Sequence, residues 1–361
     1  MSKKKKVAIL FGGRSVEHGV SVNSARNIFE HINKDRFEPL PIGISKTGQW
    51  YLTSGVTKDI GQGKALGLIL DAQSPGFILV SSGDRIKADI IFPVLHGTDG
   101  EDGSIQGLIK AMDIPMVGTG VLGSSIAMNK IIAKRLLKDA GLPITNFVSF
   151  HYTEKDKINF KAIKKSLGIP FMVKSASLGS SVGVSKVKNE ESFKKAVEDS
   201  FRYDDSILME EFVSGREIEC AILGNNPAEA SYPGEIIINS KYEFYTFDAK
   251  YVDPEAIRID VPAKLDDKIA EKVREVCVKA YKTLCCEDFS RVDLFLTEQG
   301  KIYINEINTI PGFTNSSMFP MMWKERGIGF TELISRLLDL AQERYDWGKR
   351  IERDFNSSLK F

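Results

Sequence analysis

The chain is poor in cysteine and contains no long apolar stretch. Its 4 cysteines lack the spacing of a metal site, and Cys277 falls on the apolar stripe of an expected helix, which indicates a buried reduced thiol. No uncharged apolar run is long enough to cross a membrane, and the lysines at positions 3–6 lead into the strand-like VAILF rather than into a signal peptide. We therefore expect a cytoplasmic protein that has no membrane as its partner.

An excess of one charge is also missing, and so are the residue sets of covalent catalysis. The net charge is +1, and no basic stripe interleaved with aromatic residues is found, so nothing indicates a nucleic acid as partner. We find neither a Ser-His-Asp nor a Cys-His set, which fits a chemistry without a covalent enzyme intermediate. We therefore expect acidic, lysine-containing and glycine-rich motifs to carry the function.

What the chain does have, over about its first 120 residues, is an alternation of short apolar runs with helical patterns. This alternation predicts an α/β fold with an open parallel sheet, followed by an α+β part towards the C-terminus. A chain of 361 residues is too long for one ordinary core. We predict an N-terminal domain at 1–122, a central unit at 123–215, a C-terminal unit at 216–345 with a lid loop at 232–259, and a loosely attached tail at 346–361.

Acidic and amide side chains interrupt the apolar strand INEIN, where Glu306 and Asn308 share one face by alternation. If the preceding hairpin closes on residues 299–300, Asp293 lies opposite Glu306 at a distance of about 5 Å. The same register places Arg291 opposite Asn308, whereas a three-residue loop would send Asp293 and Glu306 to different faces. Because facing carboxylates destabilise a sheet, we predict a Mg²⁺ site at Asp293, Glu306 and Asn308. The alternative is a sheet face open to water.

The segment KSASLGSSVGVSK is a glycine- and serine-rich loop between two expected strands. Its backbone amides and hydroxyls suit a polyphosphate, and Lys174 at the end of the first strand is placed to point at the same phosphates. The alternative is a plain linker with a solvated lysine. Upstream, we expect SSIAMNKIIAKRLLKDA to form one helix that ends at Gly141.

Two further motifs frame an expected second binding site. In FGGRSVEHGVSV a glycine turn leads into a helix, and Glu17 there either interacts with the helix dipole or holds a substrate ammonium. His96 ends another strand of the expected sheet, where α/β proteins bind ligands, although such a histidine more often has a packing or hydrogen-bonding role. The aromatic run SKYEFYTFDAKYVDP predicts a lid with Lys250 and Tyr251 reaching inward, or else a surface cluster of aromatic residues.

Eight motifs taken together resemble the D-alanine–D-alanine ligases of the ATP-grasp superfamily, in that family's order from Val7 to Tyr345. They are FGGRSVEHGVSV, HGTDGEDGSIQG, MNK, GSSVGVSKV, EEFVSGREIE, DAKY, RVD and NEINTIPGFTNSSMFP. The resemblance implies three domains, with ATP gripped between two β-rich layers and the dipeptide site facing the N-terminal domain. It also leads us to expect a homodimer.

The resemblance implies a role for each residue that matches a family motif. The expected ATP contacts are Lys130, Lys174, Ser180, Ser181, Glu210, Phe212, Val213, Glu217 and Phe295. The expected ligands of Mg²⁺, for which Mn²⁺ can substitute, are again Asp293, Glu306 and Asn308. The expected catalytic group is Glu17, Ser180, Tyr251, Arg291 and the amide of Gly312, with Glu17 on the first D-alanine ammonium and Arg291 with Gly312 on the oxyanion. The expected contacts of the amino-acid substrates are His96, Lys250, Ser317 and Met318.

The reaction implied by the resemblance is phosphorylation of one D-alanine by ATP, followed by attack of the amine of a second D-alanine on the acyl phosphate. The dipeptide serves peptidoglycan precursor synthesis. The alternatives are a D-alanine–D-lactate or D-alanine–D-serine ligase of the same fold, another ATP-grasp carboxylate–amine ligase, or a non-catalytic protein that binds a small amino acid. The lid residues Thr246, Phe247 and Asp248 depart from the usual family pattern and leave the lid's internal hydrogen bonds open.

Overall fold

The N-terminal part of the chain forms one sheet of seven strands. The computed structural model describes residues 3–180, 182–239, 253 and 255–352. The strands of this sheet are β1 (Lys5–Gly12), β2 (Phe37–Ile44), β3 (Trp50–Leu52), β4 (Lys64–Ile69), β5 (Gly76–Leu79), β6 (Arg85–Ile86) and β7 (Ile90–Pro93). Their order is β6-β5-β4-β3-β2-β1-β7, and β1 pairs in parallel with both β2 and β7.

The expected parallel sheet is confirmed only for one end of the sheet, where β2, β1 and β7 lie side by side. Strands β2 to β6 continue the sheet by antiparallel pairing, because short turns connect them and parallel pairing would need longer crossovers. The apolar run at 114–120 contributes only an isolated parallel bridge between Met116 and Ile91. The carboxyl ends of β1 and β7 still lie side by side, which places the loops after Gly12 and Pro93 at one edge of the sheet.

Helices cover the sheets and supply several residues of the site. They are α1 (His18–His31), α2 (Ser104–Met112), α3 (Val121–Met128), α4 (Lys130–Asp139), α5 (Phe160–Leu167), α6 (Glu190–Phe201), α7 (Asp267–Thr283), α8 (Met318–Glu325) and α9 (Phe330–Gly348). Short 3₁₀ turns are found at Ile60–Gln62 and Tyr152–Lys157. None of the helices in the described ranges is long and apolar enough to span a membrane.

The single helix expected over 124–140 is wrong, because the chain breaks at Asn129. This residue has extended dihedral angles, and its side chain caps α4 by accepting a hydrogen bond from the amide of Ile132 at 3.1 Å. The amide of Lys130 donates to the carbonyl of Ala176 at 2.8 Å instead of continuing α3. The break therefore fixes Lys130 at the start of α4, beside the glycine- and serine-rich loop.

Two antiparallel sheets form the rest of the chain. The second sheet contains β8 (Phe147–His151), β9 (Phe171–Ser175), β10 (Val184–Val187) and β11 (Ser206–Glu211), in the order β10-β9-β11-β8. The third contains β12 (Arg216–Leu223), β13 (Glu229–Ala230), β14 (Gly234–Ile238), β15 (Ile257–Asp260), β16 (Phe289–Leu296) and β17 (Ile302–Asn308). Its order is β15-β14-β12-β16-β17, and β13 pairs with β12.

The hairpin of β16 and β17 has the expected residue pairing, but its loop is longer than expected and a bulge compensates for the difference. Asp293 does face Glu306, and Arg291 does face Asn308. The loop, however, contains the three residues 298–300, since the amide of Thr297 bonds to the carbonyl of Lys301 at 2.9 Å. A bulge between Asp293 and Leu294 then shifts the register and restores the facing acids.

The main hydrophobic core joins the N-terminal sheet to the C-terminal part of the chain. Phe92 of β7 packs edge-on against Phe289 and Phe313, at ring distances of 6.4 and 6.0 Å. Trp323 and residues of α9 belong to the same buried cluster. Cys277 is buried in a second cluster and forms no disulfide, as expected. The packed core holds the loops at the edge of the first sheet against the segment that follows β17.

Candidate active site

Two adjoining cavities contain most of the residues singled out from the sequence. The first, of about 420 Å³, lies between the second and third sheets, and we call it the inter-sheet cavity. The second, of about 560 Å³, faces α1 and the loops of the N-terminal sheet, and we call it the loop cavity. Lys130 and Glu306 line both cavities, so groups bound in the two spaces would meet beside these side chains.

The inter-sheet cavity brings together the expected ATP contacts that the structure describes, except Ser180. They are Lys130, Lys174, Glu210, Phe212, Val213, Glu217 and Phe295, and Asp293 and Glu306 line the same space. Ser180 lines the loop cavity instead. Lys186 lies over the ring of Phe212 at 3.9 Å from its centroid. The cavity therefore has apolar walls at one end and basic and acidic groups at the other, as a nucleotide requires.

A buried cluster of two lysines and one acid lies at the polar end of this cavity. Glu210 is 2% exposed; its Oε1 pairs with Lys174, and its Oε2 lies 2.7 Å from Nζ of Lys134. Burial alone would raise the pKa of Glu210, but the two lysines hold it well below its usual range. Burial would lower the pKa of Lys174, yet Glu210 raises it above its ordinary value, so both groups stay charged. Burial lowers the pKa of Lys134, which Glu210 opposes, and with Lys134 protonated the cluster has one more positive than negative charge.

A row of three carboxylates crosses the third sheet at the junction of the two cavities. Glu219 of β12 faces Asp293, which in turn faces Glu306. Arg291 forms a two-point ion pair with Asp293 at 2.6 and 2.7 Å, and its Nε lies 2.9 Å from Glu219. Lys130 lies 3.3 Å from Glu306 and also donates to the carbonyl of Leu178. Basic side chains thus counter the repulsion within the row.

The donor atoms of this row suit a hard cation only in part. Asp293, Glu306 and Asn308 offer oxygen atoms, which Mg²⁺ prefers. In the described ranges, no three histidine, cysteine or acidic side chains are gathered closely enough to hold a metal ion. Asn308 Oδ1 accepts a hydrogen bond from the amide of Ile310 at 3.1 Å. The residues fit an ion that takes its remaining ligands from phosphate and water, as Mg²⁺ does beside nucleotides.

Glu17 lies at the start of α1 and lines the loop cavity. Its carboxylate accepts a hydrogen bond from the hydroxyl of Ser180, whose backbone is left-handed with a φ of 53°. Gly97 also has a left-handed backbone, and a Cβ there would lie 2.6 Å from Oε2 of Glu17. The loop after β7 can therefore approach Glu17 closely only as glycine. The carboxylate is placed to meet a cationic group in the cavity.

His96 lines the loop cavity and has protein partners on both ring nitrogens. Its Nδ1 lies 2.8 Å from the carbonyl of Ile310, and its Nε2 lies 3.0 Å from the hydroxyl of Ser24. A proton on Nδ1 donates to that carbonyl, while Ser24 donates to Nε2. Burial lowers the pKa of His96, which favours this neutral form. The geometry supports the hydrogen-bonding role that joins α1 to the segment after β17.

The segment after β17 completes the wall of the loop cavity. Gly312, Ser317 and Met318 line it as expected. The hydroxyl of Ser317 accepts a hydrogen bond from the amide of Thr314 at 3.0 Å, and Met318 begins α8 and is buried. The expected residues Ser181, Lys250 and Tyr251, and the lid residues Thr246, Phe247 and Asp248, lie outside the described residues.

Sequence reasoning missed several residues that the structure brings to the site. Glu219 could have been predicted from the sequence, because alternation places it on the same face as Glu217. Lys134 was also within reach, because it lies one helical turn after Lys130 on the buried face of α4. Asn305 accepts a hydrogen bond from Lys174 at 3.0 Å. It lies at the bulge, where the register of β17 shifts, and the expected regular hairpin did not single it out.

Glu101 is the fourth missed residue, and it links the two sides of the loop cavity. Its carboxylate accepts hydrogen bonds from the amide of Gly97 at 2.7 Å and from the amide of Ile310 at 3.2 Å. Burial, together with the nearby charge of Glu17, raises its pKa to about 8. Burial and the charge of Glu17 therefore favour the protonated form of Glu101 in the folded protein.

Because of this shift, we expect Glu101 to make folding stability depend on pH. The pKa is raised in the folded state, so the contribution of Glu101 is complete below its ordinary value of 4.5 and is lost as the pH rises towards about 8. We expect the Glu101→Gln variant to lack this loss, with a difference of up to about 1.4 kcal/mol per pH unit in that interval. Thermal unfolding of the wild type and the variant from pH 5 to 8 measures this difference in stability. An equal dependence of stability on pH in the two proteins would contradict the raised pKa.

Comparison with known proteins gives matches along nearly the whole chain. A family model described as D-ala D-ala ligase N-terminus matches residues 6–119, and one described as D-ala D-ala ligase C-terminus matches residues 136–339. The D-alanine–D-alanine ligase of Oceanobacillus iheyensis is 43% identical over 94% of this chain and 96% of its own length. D-alanine–D-alanine ligase A of Salmonella typhimurium is 44% identical over 95% of this chain and 97% of its own length.

Solved structures are similar in the same way. The D-alanine–D-alanine ligase from Coxiella burnetii is 33% identical, has a TM-score of 0.85, and matches over 97% of both chains. The VanG D-Ala:D-Ser ligase from Enterococcus faecalis is 35% identical, also has a TM-score of 0.85, and matches over 94% of this chain and 100% of its own.

Proposed function

Because the chain belongs to the D-alanine–D-alanine ligase family, we propose that it joins two D-alanine molecules through a D-alanyl phosphate formed from ATP. The resemblance noted in the sequence is thereby confirmed, and so is the ATP-grasp fold. The chain is an ATP-dependent ligase of the class that supplies the dipeptide for peptidoglycan synthesis.

One observation supports the assignment of the nucleotide to the inter-sheet cavity and of the amino acids to the loop cavity. Lys130 and Glu306 line both, so a nucleotide in the inter-sheet cavity would present its phosphates to an amino acid in the loop cavity. In the proposed first step, a carboxylate oxygen of D-alanine attacks the γ-phosphorus and ADP leaves. In the second, the deprotonated amine of another D-alanine attacks the acyl carbon, and phosphate leaves with that oxygen. The first step converts a poor electrophile into a mixed anhydride.

The side chains at the junction have complementary roles in this proposal. Lys130 and Lys174 bind the phosphates and stabilise the negative charge that develops there. Asp293, Glu306 and Asn308 would hold Mg²⁺, or Mn²⁺ in its place, which neutralises phosphate charge when bound. Arg291 and the amide of Gly312 stabilise the oxyanion. Glu210 is fully engaged by lysines, so we expect the adenine contacts to come from the backbone of the neighbouring residues.

The amino-acid contacts follow the walls of the loop cavity. We propose that Glu17 binds the ammonium of the first D-alanine and that Ser317, with Lys250, binds the carboxylate of the second. Met318 forms an apolar wall, and Tyr251 joins Glu17 and Ser180 in a lid contact. From the composition and the patterning of the sequence we also propose a cytoplasmic protein with domains 1–122, 123–215 and 216–345, and from the resemblance alone a homodimer.

Phosphate release from ATP with D-alanine as the sole amino acid tests the proposed function. We expect release that requires Mg²⁺ and that is absent with L-alanine. Glu17 would fix the ammonium of the first substrate and Ser317 the carboxylate of the second, and only one configuration then directs the first carboxyl group to the phosphates. The dipeptide should appear in a one-to-one ratio with phosphate. Equal release with the two enantiomers, or release without dipeptide, would rule the proposal out.

A D-alanine–D-serine ligase is the second candidate, because the VanG D-Ala:D-Ser ligase is as similar in structure as the D-alanine ligase from Coxiella burnetii. The discriminating experiment offers one equivalent each of D-alanine, D-serine and D-lactate as second substrate, across a range of pH. If D-alanyl-D-alanine is the main product at neutral pH, the chain is a D-alanine–D-alanine ligase. If D-alanyl-D-serine or the D-lactate ester is the main product, it is a D-alanine–D-serine or D-alanine–D-lactate ligase instead.

A further inference from the structure

Lys134 lies directly behind the polar end of the inter-sheet cavity. Its side chain is 2% exposed, and its Nζ lies 2.7 Å from Oε2 of Glu210. The same Nζ donates to the hydroxyl of Thr145 at 2.7 Å, and that hydroxyl donates to Oε2 of Glu210 at 2.7 Å. Lys134 of α4 and Thr145 of the loop that follows α4 thus hold one carboxylate oxygen of Glu210 on β11 in a closed ring of contacts.

The other oxygen of this carboxylate is turned towards the cavity. Oε1 of Glu210 pairs with Lys174, which also donates to Asn305 at 3.0 Å. Lys174 lines the inter-sheet cavity, whereas Lys134 is not among the described residues that line it. A single carboxylate therefore connects a lysine inside the protein to a lysine at the expected phosphate position.

We propose that Lys134 is a positioning residue for ATP: it fixes Glu210, which in turn holds Lys174 at the phosphates. This inference rests on the proposed function, since it assumes that a nucleotide occupies the inter-sheet cavity. Lys134 itself touches neither substrate. It acts on the reaction only through Glu210 and Lys174.

Charge distinguishes this role from a purely structural one. One lysine would already neutralise Glu210, and a buried ion pair often adds no more stability than an apolar residue of similar size. Burial lowers the pKa of Lys134, and the charge of Glu210 opposes that shift. In its protonated form the second lysine gives the cluster a net charge of +1, which an apolar replacement would remove. Without Lys134, the negative charge of Glu210 would cancel the positive charge of Lys174. Less positive charge would then remain to bind the phosphates.

The Lys134→Met variant tests the inference, with Leu137→Ala as the matched control. Leu137 lies on the same helix and is 1% exposed, so its truncation lowers stability without touching the cluster. For Lys134→Met we expect the KM for ATP, and the Kd for Mg·ATP measured by calorimetry, to rise roughly tenfold. The KM for D-alanine should stay within about twofold, since the described partners of Lys134 and Lys174, which are Thr145, Glu210 and Asn305, do not line the loop cavity. Lys134→Arg, which retains the charge, should restore part of the loss.

Thr145→Val keeps the inference testable even if Lys134→Met does not fold. It removes only the hydroxyl of the ring, and we expect a smaller rise in the same Kd with an unchanged KM for D-alanine. If either variant shifts the Kd for Mg·ATP no more than Leu137→Ala does, Lys134 has no positioning role. Failure of the wild-type protein to release phosphate with D-alanine would instead contradict the proposed function, while calorimetry with ATP would still decide the role of Lys134.

Discussion

Replacement of Glu306 by glutamine is expected to lower Mg²⁺-dependent kcat at least about a hundredfold while leaving the fold intact. Glu306 faces Asp293 across the hairpin and lines both cavities, so it is the acid best placed between nucleotide and amino acid. The amide of glutamine has the same shape but lacks the charge that a divalent cation requires. It would still accept a hydrogen bond from Lys130, which preserves the local contact.

The variant is measured by turnover against Mg²⁺ concentration and by thermal unfolding. Glu298→Gln is the matched control, because Glu298 lies in the loop of the same hairpin and is exposed. We expect the control to retain wild-type turnover and both variants to unfold within a few degrees of the wild type. Unchanged turnover in Glu306→Gln would mean that this acid is not a metal ligand. A large drop in Tm with little change in turnover would make its role structural.

Replacement of Arg291 by methionine is expected to reduce kcat by roughly a hundredfold or more and to destabilise the protein when Mg²⁺ is absent. Arg291 contacts both Asp293 and Glu219, so its removal leaves adjacent carboxylates of the third sheet without their shared counter-ion. Removing one partner of a partly buried ion pair leaves an uncompensated charge. A divalent cation bound at Asp293 would relieve that repulsion.

The distinctive expectation for Arg291→Met is therefore a larger rise in Tm on addition of Mg²⁺ than the wild type shows. Arg258→Met provides the control, since Arg258 lies on the same sheet but is largely exposed and pairs only with the neighbouring Asp260 among described contacts. We expect Arg258→Met to match the wild type in turnover and in its response to Mg²⁺. Equal Mg²⁺ responses in the wild type and in Arg291→Met would place the ion away from this row of acids.

The facing acids illustrate what sequence reasoning can and cannot reach. Alternation and residue type were enough to pair Asp293 with Glu306, but the two-residue loop on which the pairing depended is wrong. The loop has three residues, with Gly300 in the left-handed region, and the bulge beside Asp293 compensates. At the bulge, Asn305 accepts a hydrogen bond from Lys174, which lies in a distant part of the chain. Nothing within the hairpin sequence specifies it.

Other differences have a similar cause. The helix break at Asn129 is a local capping effect that an asparagine in the middle of the segment could have signalled. The antiparallel strands β3 to β6 were missed because each contains only 2 to 6 residues. The ring around Glu210 was out of reach, since it depends on how α4 packs beside β11. Residues on regular elements were placed well from sequence, and tertiary ion pairs were not.

Transfer of a labelled oxygen tests the proposed chemistry most directly. D-alanine with both carboxylate oxygens replaced by ¹⁸O is incubated with the protein, Mg²⁺ and unlabelled ATP, and the released phosphate is analysed by mass. If the carboxylate attacks the γ-phosphorus, each phosphate released with a dipeptide carries one ¹⁸O atom. Phosphate that is free of label, formed while the dipeptide accumulates, would show that no acyl phosphate is made and would contradict the account.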